Sequence, residues 1–356
     1  MNPACQRRHF GWYLPVLIGT AALLAPICGC GGNGGGGNSF QTVNFTQPSG
    51  SYSATTVTSF PPPSLGPHPL GVSLSNTGDA VIGTGGEEGQ GNVAGAPYSL
   101  WQNGLTSLPA GFAFGQVSDA GAVIENPTSG TGGTYSNGQI TTLPLPVGFT
   151  QASAQAISGS GDIAGVATGS GTVQAFLWKG SAITSLGLPA STVSATCVGI
   201  NNSDEIIGRY TDSAGLHLFL WNNGVLTDLG QLNPVGIGNN GEIVGETSSQ
   251  LPAVWSSGKM SLLPVPGRSP NNGVTATVVS INSSGEVVGF VQTGTGDIPT
   301  LWSGGKAFNL TSDLSASGLT VGQLFAINDS GQILAEAGDN NTDEIVIMMP
   351  QPRDPL

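Results

Sequence analysis

Residues 281–289 read Ile-Asn-Ser-Ser-Gly-Glu-Val-Val-Gly, and variants of this pattern occur seven times along the 356-residue chain. In each copy an apolar residue precedes a short turn, and two apolar residues follow the turn one position later. The last turn position is occupied by Gly78, Gly121, Gly161, Asp204, Gly241, Gly285 and Gly331. These positions are 37 to 46 residues apart, a period typical of repeat architectures such as propeller blades.

A second pattern follows most copies, in which a short apolar run ends in tryptophan and is followed by a glycine-containing turn. The tryptophans are Trp101, Trp178, Trp221, Trp255 and Trp302, and Tyr135 takes this place in the second unit. Each unit therefore contains two β-hairpins, whose four strands we name a, b, c and d in chain order. The sequence predicts an all-β fold, a seven-bladed β-propeller of four-stranded blades. A β-solenoid or a different number of blades is the alternative.

The composition supports an all-β fold with many tight turns. The chain contains 57 Gly and 24 Pro, whereas charged residues make up only 8%. Long exposed helices need many Glu, Lys and Arg side chains, which this chain lacks. Disordered chains combine low hydrophobicity with high charge, whereas hydrophobic residues are 38% here.

The ends of the chain predict how the ring closes. The last unit provides strands a, b and c, and the chain then ends in a proline-rich segment without a strand d. Residues 52–60, Tyr-Ser-Ala-Thr-Thr-Val-Thr-Ser-Phe, form a β-prone run upstream of the first unit. We predict that this run is the missing outer strand of the last blade and pairs with residues 343–349, which would otherwise expose an apolar edge.

The repeat resembles a known family. The run Ile-Asn-x-x-Gly-x-Ile-Val-Gly, followed by Ala-Phe-Leu-Trp-x-x-Gly, is similar to the HAF extracellular repeat, which is named for His-Ala-Phe. The triplet occurs here as Gln174-Ala175-Phe176 and His217-Leu218-Phe219. The resemblance covers roughly residues 70–349. It implies an exported bacterial protein of unassigned biochemical function, and it implies no catalytic residues.

The N-terminus is typical of an export signal. Arg7 and Arg8 precede an apolar stretch too short for a membrane span. Residues 27–30, Ile-Cys-Gly-Cys, resemble a bacterial lipobox, which implies cleavage before Cys30 and a diacylglycerol on that cysteine. An ordinary signal peptide cut elsewhere is the alternative, and Arg7-Arg8 also resembles a twin-arginine export signal. We predict a lipoprotein signal peptide over 1–29, a glycine-rich tether over 30–50, the propeller over 51–349 and a tail over 350–356.

Charge and cysteine content limit the functions that fit. The net charge is −13, and the few cations are scattered, so we expect no nucleic-acid partner. Downstream of Cys30 the chain contains a single cysteine, Cys197, which excludes an intramolecular disulfide in the mature chain. No clustered metal ligands or cofactor motif occur, so we predict neither a metal nor a cofactor. The expected partners are the membrane, through Cys30, and a protein or carbohydrate ligand; we expect a monomer.

Functional residues are expected where the repeat symmetry breaks. The candidates for ligand binding are Glu87, Glu88, Arg209, Tyr210 and Arg268, which we expect in different b–c or d–a loops on one face of the propeller. We predict a non-catalytic, lipid-anchored binding or scaffold module in the periplasm or at the cell surface. A propeller enzyme acting on polysaccharide, a lyase or a glycosidase, is the alternative.

Other conspicuous residues recur at fixed repeat positions, so we predict structural roles for them. The strand c tryptophans are expected to form the core. His217 occupies the position of Gln174 in the preceding unit and is expected to be structural. Acids follow the a–b turn in five units and are expected in solvated turns: Asp79, Asp162, Glu205, Glu242 and Glu286.

Overall fold

The computed structural model describes residues 52–60, 69–84, 98–269, 273–339 and 342–351. These residues form seven four-stranded antiparallel sheets arranged as the blades of a β-propeller. Strand a of each blade packs against strand a of its neighbours, so strand a lines the centre and strand d the rim. The prediction of seven blades is confirmed.

The first four blades follow one another along the chain. Blade 1 contains β2 (Pro69–Leu74), β3 (Ala80–Thr84), β4 (Ser99–Trp101) and β5 (Leu105–Ser107). Blade 2 contains β6 (Phe112–Val117), β7 (Val123–Pro127), β8 (Gly133–Ser136) and β9 (Gln139–Thr142). Blade 3 contains β10 (Gln151–Ile157), β11 (Ile163–Gly169), β12 (Thr172–Lys179) and β13 (Ala182–Ser185). Blade 4 contains β14 (Ser194–Ile200), β15 (Ile206–Asp212), β16 (Gly215–Asn222) and β17 (Val225–Asp228).

The last three blades complete the ring. Blade 5 contains β18 (Asn233–Ile237), β19 (Ile243–Glu246), β20 (Pro252–Ser256) and β21 (Lys259–Leu262). Blade 6 contains β22 (Thr275–Ile281), β23 (Val287–Thr293), β24 (Gly296–Ser303) and β25 (Lys306–Asn309). Blade 7 contains β26 (Thr320–Ile327), β27 (Ile333–Gly338), β28 (Asp343–Pro350) and β1 (Tyr52–Phe60). A 3-10 turn at Ser315–Ser317 precedes blade 7, and the described residues include no helix long and apolar enough to cross a membrane.

Ring closure follows the predicted pairing. β1 is the outer strand of blade 7 and runs antiparallel to β28, with a register from Tyr52 opposite Pro350 to Phe60 opposite Asp343. The ladder extends one residue beyond the predicted boundary at 349. Val57 forms a bulge in this ladder and is buried against the interface of blades 7 and 1. The two ends of the described chain are therefore held in a single sheet.

The hydrophobic core lies between the blades. The described residues form seven apolar clusters, and each cluster joins one pair of neighbouring blades. The cluster between blades 3 and 4 contains Leu177 of one blade and Phe219 of the next. Alternation of side chains along each strand gives each blade two apolar faces. Both apolar faces of a blade are therefore buried only when both neighbouring blades are present.

The strand c tryptophans form part of this core, but not equally. Trp178, Trp221 and Trp302 are 1%, 4% and 1% exposed, which confirms the prediction for these three. Trp101 and Trp255 are half-buried because they belong to shorter strands and only border their clusters. For these two residues the prediction of a full core position is wrong.

Two of the buried indoles also form hydrogen bonds that join neighbouring blades. Trp178 Nε1 donates a hydrogen bond of 2.9 Å to the Pro144 carbonyl, which lies in the connection leaving blade 2. Trp302 Nε1 makes the equivalent bond of 2.7 Å to Pro264 in the connection leaving blade 5. Each bond satisfies a buried donor and joins a blade to the one before it.

The a–b turns explain the repeated glycine. Asp204 adopts the left-handed conformation with φ of 62°, and Gly285 has a φ of 74° at the equivalent position. A Cβ on Gly285 would also lie 2.7 Å from Glu242 Oε2 of the preceding blade. Glycine therefore fits both the backbone conformation and the close packing of successive turns.

We predict that removing β1 destabilises the whole ring. A chain that begins at residue 61 lacks the partner of β28, whereas a chain that begins at residue 51 retains it. We expect the first chain to melt at least about 10 °C lower, because it loses several kcal/mol of stability and each kcal/mol lowers the melting temperature by about 2–4 °C. Calorimetry of the two chains checks this, and equal melting temperatures would contradict it.

We predict a graded cost for tryptophan truncation. Trp221→Ala should lower the free energy of unfolding by about 3–5 kcal/mol, as large aromatic truncations in cores do. Trp255→Ala should cost less, because its side chain is half-buried. Urea unfolding of both variants measures the difference, and a larger loss for Trp255→Ala would refute the burial argument.

Candidate functional site

The b–c turns and the d–a connections share one face of the propeller, to which the sequence assigned the five candidate residues. Glu87 and Glu88 lie outside the described residues. Arg268 is exposed in the connection between β21 and β22. Arg209 and Tyr210 are neighbours on β15, strand b of blade 4, so the prediction that they lie in a loop is wrong.

The structure does not bring Arg209 and Tyr210 to a common site. Successive strand residues face opposite sides of a sheet. Arg209 faces blade 5, where its Nη1 donates to Asn233 Oδ1 at 3.5 Å, and burial lowers its pKa. Tyr210 faces blade 3 and packs against the apolar cluster there. Arg209 is thus placed at a blade interface, and Tyr210 contributes to a cavity.

The cavity lies on the blade 3 side of blade 4 and spans strands b, c and d. It has a volume of about 150 Å³, and its walls are formed by Tyr210, His217, Leu218, Phe219, Leu226, Thr227 and Asp228. The Tyr210 and His217 rings stack with centroids 4.6 Å apart and planes 13° apart. The Phe219 ring lies 6.2 Å from Tyr210. We call this group of residues the blade 4 cavity.

A carboxylate behind the cavity orients His217. His217 Nε2 lies 3.0 Å from Asp212 Oδ1 across the b–c turn. Asp212 also accepts hydrogen bonds from the Ala214 amide at 2.8 Å and the Ser191 hydroxyl at 3.3 Å. The His217 bond and then the Ala214 bond hold the pKa of Asp212 below its usual value. Asp212 is therefore an ionised acceptor that fixes the imidazole ring.

The cavity has a negative potential. Burial raises the pKa of Tyr210, and the charges of Asp212 and Asp228 raise it further. Asp228 is exposed at the end of β17 and accepts a bond of 2.8 Å from the Gly230 amide. The phenol thus remains neutral at physiological pH and can donate a hydrogen bond.

Sequence reasoning selected one wall residue of this cavity and missed the others. His217 was assigned a structural role by analogy with Gln174, whose Nε2 donates to the Leu188 carbonyl at 2.8 Å. The two equivalent residues therefore make different contacts. The available signal was Asp212, which lies five residues before His217 across the b–c connection, since neighbouring residues of paired strands lie close together.

The acids that follow the a–b turns are less solvated than expected. Asp162 is buried and forms an ion pair of 3.2 Å with Lys179. Glu205 accepts bonds of 2.7 Å from Asn201 and Asn222. These carboxylates join the a–b turn to the c–d turn of the same blade. The prediction that they lie in solvated turns is therefore wrong, because they are buried or half-buried and make contacts between turns.

Remaining reactive groups are structural. The Cys197 thiol is buried and donates to the Gly165 carbonyl at 3.5 Å, and burial raises its pKa to about 12. Such a thiol is unreactive at neutral pH. Within the described ranges no group of three or more His, Cys, Asp or Glu side chains could hold a metal ion.

Comparisons with known proteins give no family for this chain. No family model matches it, and no curated protein matches it significantly. Similar solved structures include an acylaminoacyl peptidase from Pyrococcus horikoshii, at 9% identity and a TM-score of 0.45, with 86% of this chain and 52% of that chain covered. The Dos1 propeller matches at 11% identity and a TM-score of 0.46, with 83% of this chain and 95% of that chain covered.

A calcium-binding protein, regucalcin, from Agrobacterium tumefaciens matches at 11% identity and a TM-score of 0.36, with 86% of this chain and 97% of that chain covered. The present chain spans about half the length of the peptidase. Matches this distant carry no argument about function, and the assignment of the fold rests on the strand pairing described above.

Blade 2 buries a carboxyl group where most blades have glycine. Glu125 is 1% exposed, and its Oε2 has no hydrogen-bond partner. It lies opposite Phe114 in the ladder of β6 and β7. The Phe114 ring in turn packs 5.6 Å from Tyr98 and 6.0 Å from Tyr135. Burial raises the pKa of Glu125.

We predict that Glu125 makes the domain less stable as the pH rises. A raised folded-state pKa gives a contribution that is fully present below the unfolded pKa and is lost as the pH rises through the folded value. Glu125→Gln has no carboxyl group to ionise at this position. The free energy of unfolding of this variant should therefore exceed that of the wild type by an increasing amount between pH 4 and pH 8. We expect a change of about 1–3 kcal/mol, the usual cost of a buried unsatisfied polar group.

Thermal unfolding across this pH range measures the effect. Glu242→Gln is the matched control, because blade 7 already has Gln332 at the equivalent position. Parallel pH profiles of the wild type and Glu125→Gln would show that the buried carboxyl does not control stability.

Proposed function

We propose that the protein is an exported, lipid-anchored β-propeller that binds a ligand in the blade 4 cavity rather than catalysing a reaction. The observation that carries this proposal is the cavity itself, where Tyr210, His217 and Asp228 converge from three strands of one blade. The propeller is a rigid support for such a site, because each blade is held by apolar clusters on both sides.

The cavity fits binding better than glycoside hydrolysis. Glycosidases use a pair of carboxyl groups, and the general acid needs a raised pKa. Asp212 instead accepts three hydrogen bonds, which include one from His217, and its pKa is lowered. A carboxylate engaged in this way orients a neighbouring side chain and is unsuited to donate a proton.

The anchor is proposed from the sequence. Residues 27–30 resemble a lipobox, and the following glycine-rich stretch fits a tether between the lipid and the domain. The resemblance of the repeat to the HAF extracellular family supports export from a bacterial cell. We therefore place the protein on a membrane, in the periplasm or at the cell surface.

We predict that Cys30→Ser releases the protein from the membrane, because the diacylglycerol has no other attachment point. Fractionation of cells that express the full chain should move it from the detergent-extracted membrane to the soluble fraction, with a corresponding loss of lipid mass. Cys28→Ser is the control and should leave partitioning unchanged. Membrane partitioning that survives Cys30→Ser would contradict the anchor.

We predict that the ligand protects the blade 4 cavity in the native envelope. Hydroxyl-radical footprinting should label Tyr210 less in isolated envelopes than in the purified full chain. Met260 is an internal control, since it is exposed on the outer strand of blade 5 and does not line the cavity. Equal labelling of Tyr210 in both samples would contradict a ligand at this site.

A further inference from the structure

We infer that the blade 4 cavity binds a single sugar residue of a glycan that carries no negative charge. This inference rests on the proposed binding function and specifies its ligand class. It follows from three properties of the cavity walls: an aromatic surface, hydrogen-bonding groups at its edge, and a negative charge.

The aromatic surface suits the apolar side of a sugar ring. Tyr210 and His217 stack nearly in parallel, so their rings are held as one rigid wall. Phe219 and Leu226 extend this wall toward the cluster between blades 3 and 4. Aromatic rings bury a large area with little loss of side-chain entropy, which favours weakly hydrated C–H surfaces.

The polar groups suit hydroxyl recognition. Because Asp212 is ionised and lies 3.0 Å from Nε2, it favours the tautomer that carries the proton on Nε2. In the neutral imidazole, His217 Nδ1 is then an acceptor on the other side of the ring. Asp228 adds a carboxylate on strand d, directly opposite Phe219 in the ladder. Hydroxyl groups that both donate and accept are the ligand groups that match this mixture.

The charge and size of the cavity narrow the ligand class. Asp212 and Asp228 both act on Tyr210, and the whole chain has a net charge of −13. An acidic sugar would be repelled, whereas a neutral or amino sugar would not. The volume of about 150 Å³ is below the roughly 300–1,000 Å³ of sites for larger ligands, so one residue fits rather than an extended chain.

Blades 3 and 6 lack this combination. At the strand positions of Tyr210, His217 and Asp228, blade 3 has Ala167, Gln174 and Ser185. Blade 6 has Val291, Ile298 and Asn309 at the same positions. The aromatic and acidic side chains therefore depart from the repeat together, and they do so around one cavity.

Saturation-transfer NMR on the full chain in detergent tests the inference. The probes are methyl glucoside, methyl galactoside and N-acetylglucosamine, with glucuronate as the acidic counterpart. The variants His217→Gln and Asp228→Ser place the blade 3 residues at the cavity. Ser185→Ala changes the position in blade 3 that corresponds to Asp228 and is the control, and the melting temperature of each variant reports folding.

We expect at least one uncharged sugar to bind with a dissociation constant of about 1 mM, and each cavity variant to weaken it at least about tenfold. The control should bind as the wild type does, and glucuronate should not bind. No binding of any uncharged sugar up to about 50 mM, unchanged affinity in both cavity variants, or tighter binding of glucuronate would overturn the inference.

The outcomes separate the ligand class from the proposed function. Protection of Tyr210 in the envelope without sugar binding would retain a binding function and reject a glycan in favour of another class of ligand. Absence of both signals would reject the two proposals together.

Discussion

The structure depends on a ring closing on itself, because each blade buries its apolar faces only against two neighbours. The chain supplies six of the closing contacts by simple succession, and the seventh joins blade 7 to blade 1. At that interface Asn328 Nδ2 donates to the Ser75 carbonyl at 2.9 Å, and the Asp329 amide donates to Asn76 Oδ1 at 2.9 Å. The ladder of β1 with β28 adds a link through the backbone itself. The last interface is thus held by both ends of the domain.

A repeated bulge in strand a connects the blades on the inner side. The ladder between strands a and b shifts register two residues before the last apolar residue of strand a, at equivalent places in all seven blades. In blades 5, 6 and 7 the extra residue is Val235, Val279 or Phe325, and each packs into the cluster shared with the following blade. A bulge turns a side chain that alternation would face away. Each strand a therefore places side chains in both of the interfaces that its blade forms.

The sequence predicted the parts of the fold that local rules determine. The blade count follows from turn residues such as Gly285 and Asp204, whose conformation depends on the residue itself. Closure follows from one missing strand and one unassigned strand. The bulges were not predicted, because a run such as Val-Val-Ser-Ile (residues 278–281) is apolar in either register. The blade 4 cavity was not predicted either, since its walls come from three strands and their meeting depends on strand register.

Residues that differ from the repeat pattern mark positions with a role other than ring closure. At the position where four blades have glycine on strand b, blade 2 has Glu125, and opposite it strand c has Gly133 instead of the Phe176 or Phe219 of blades 3 and 4. That exchange buries a carboxyl group with an unpaired oxygen, which destabilises the interface. In blade 4 the departures instead lie near the b–c turn, where Tyr210 and His217 are half-buried and Asp228 is exposed. Tyr210 packs against the cluster between blades 3 and 4 and also lines the cavity. Such a departure keeps the blade interface packed, so the b–c end of a blade is where a binding site can arise on this fold.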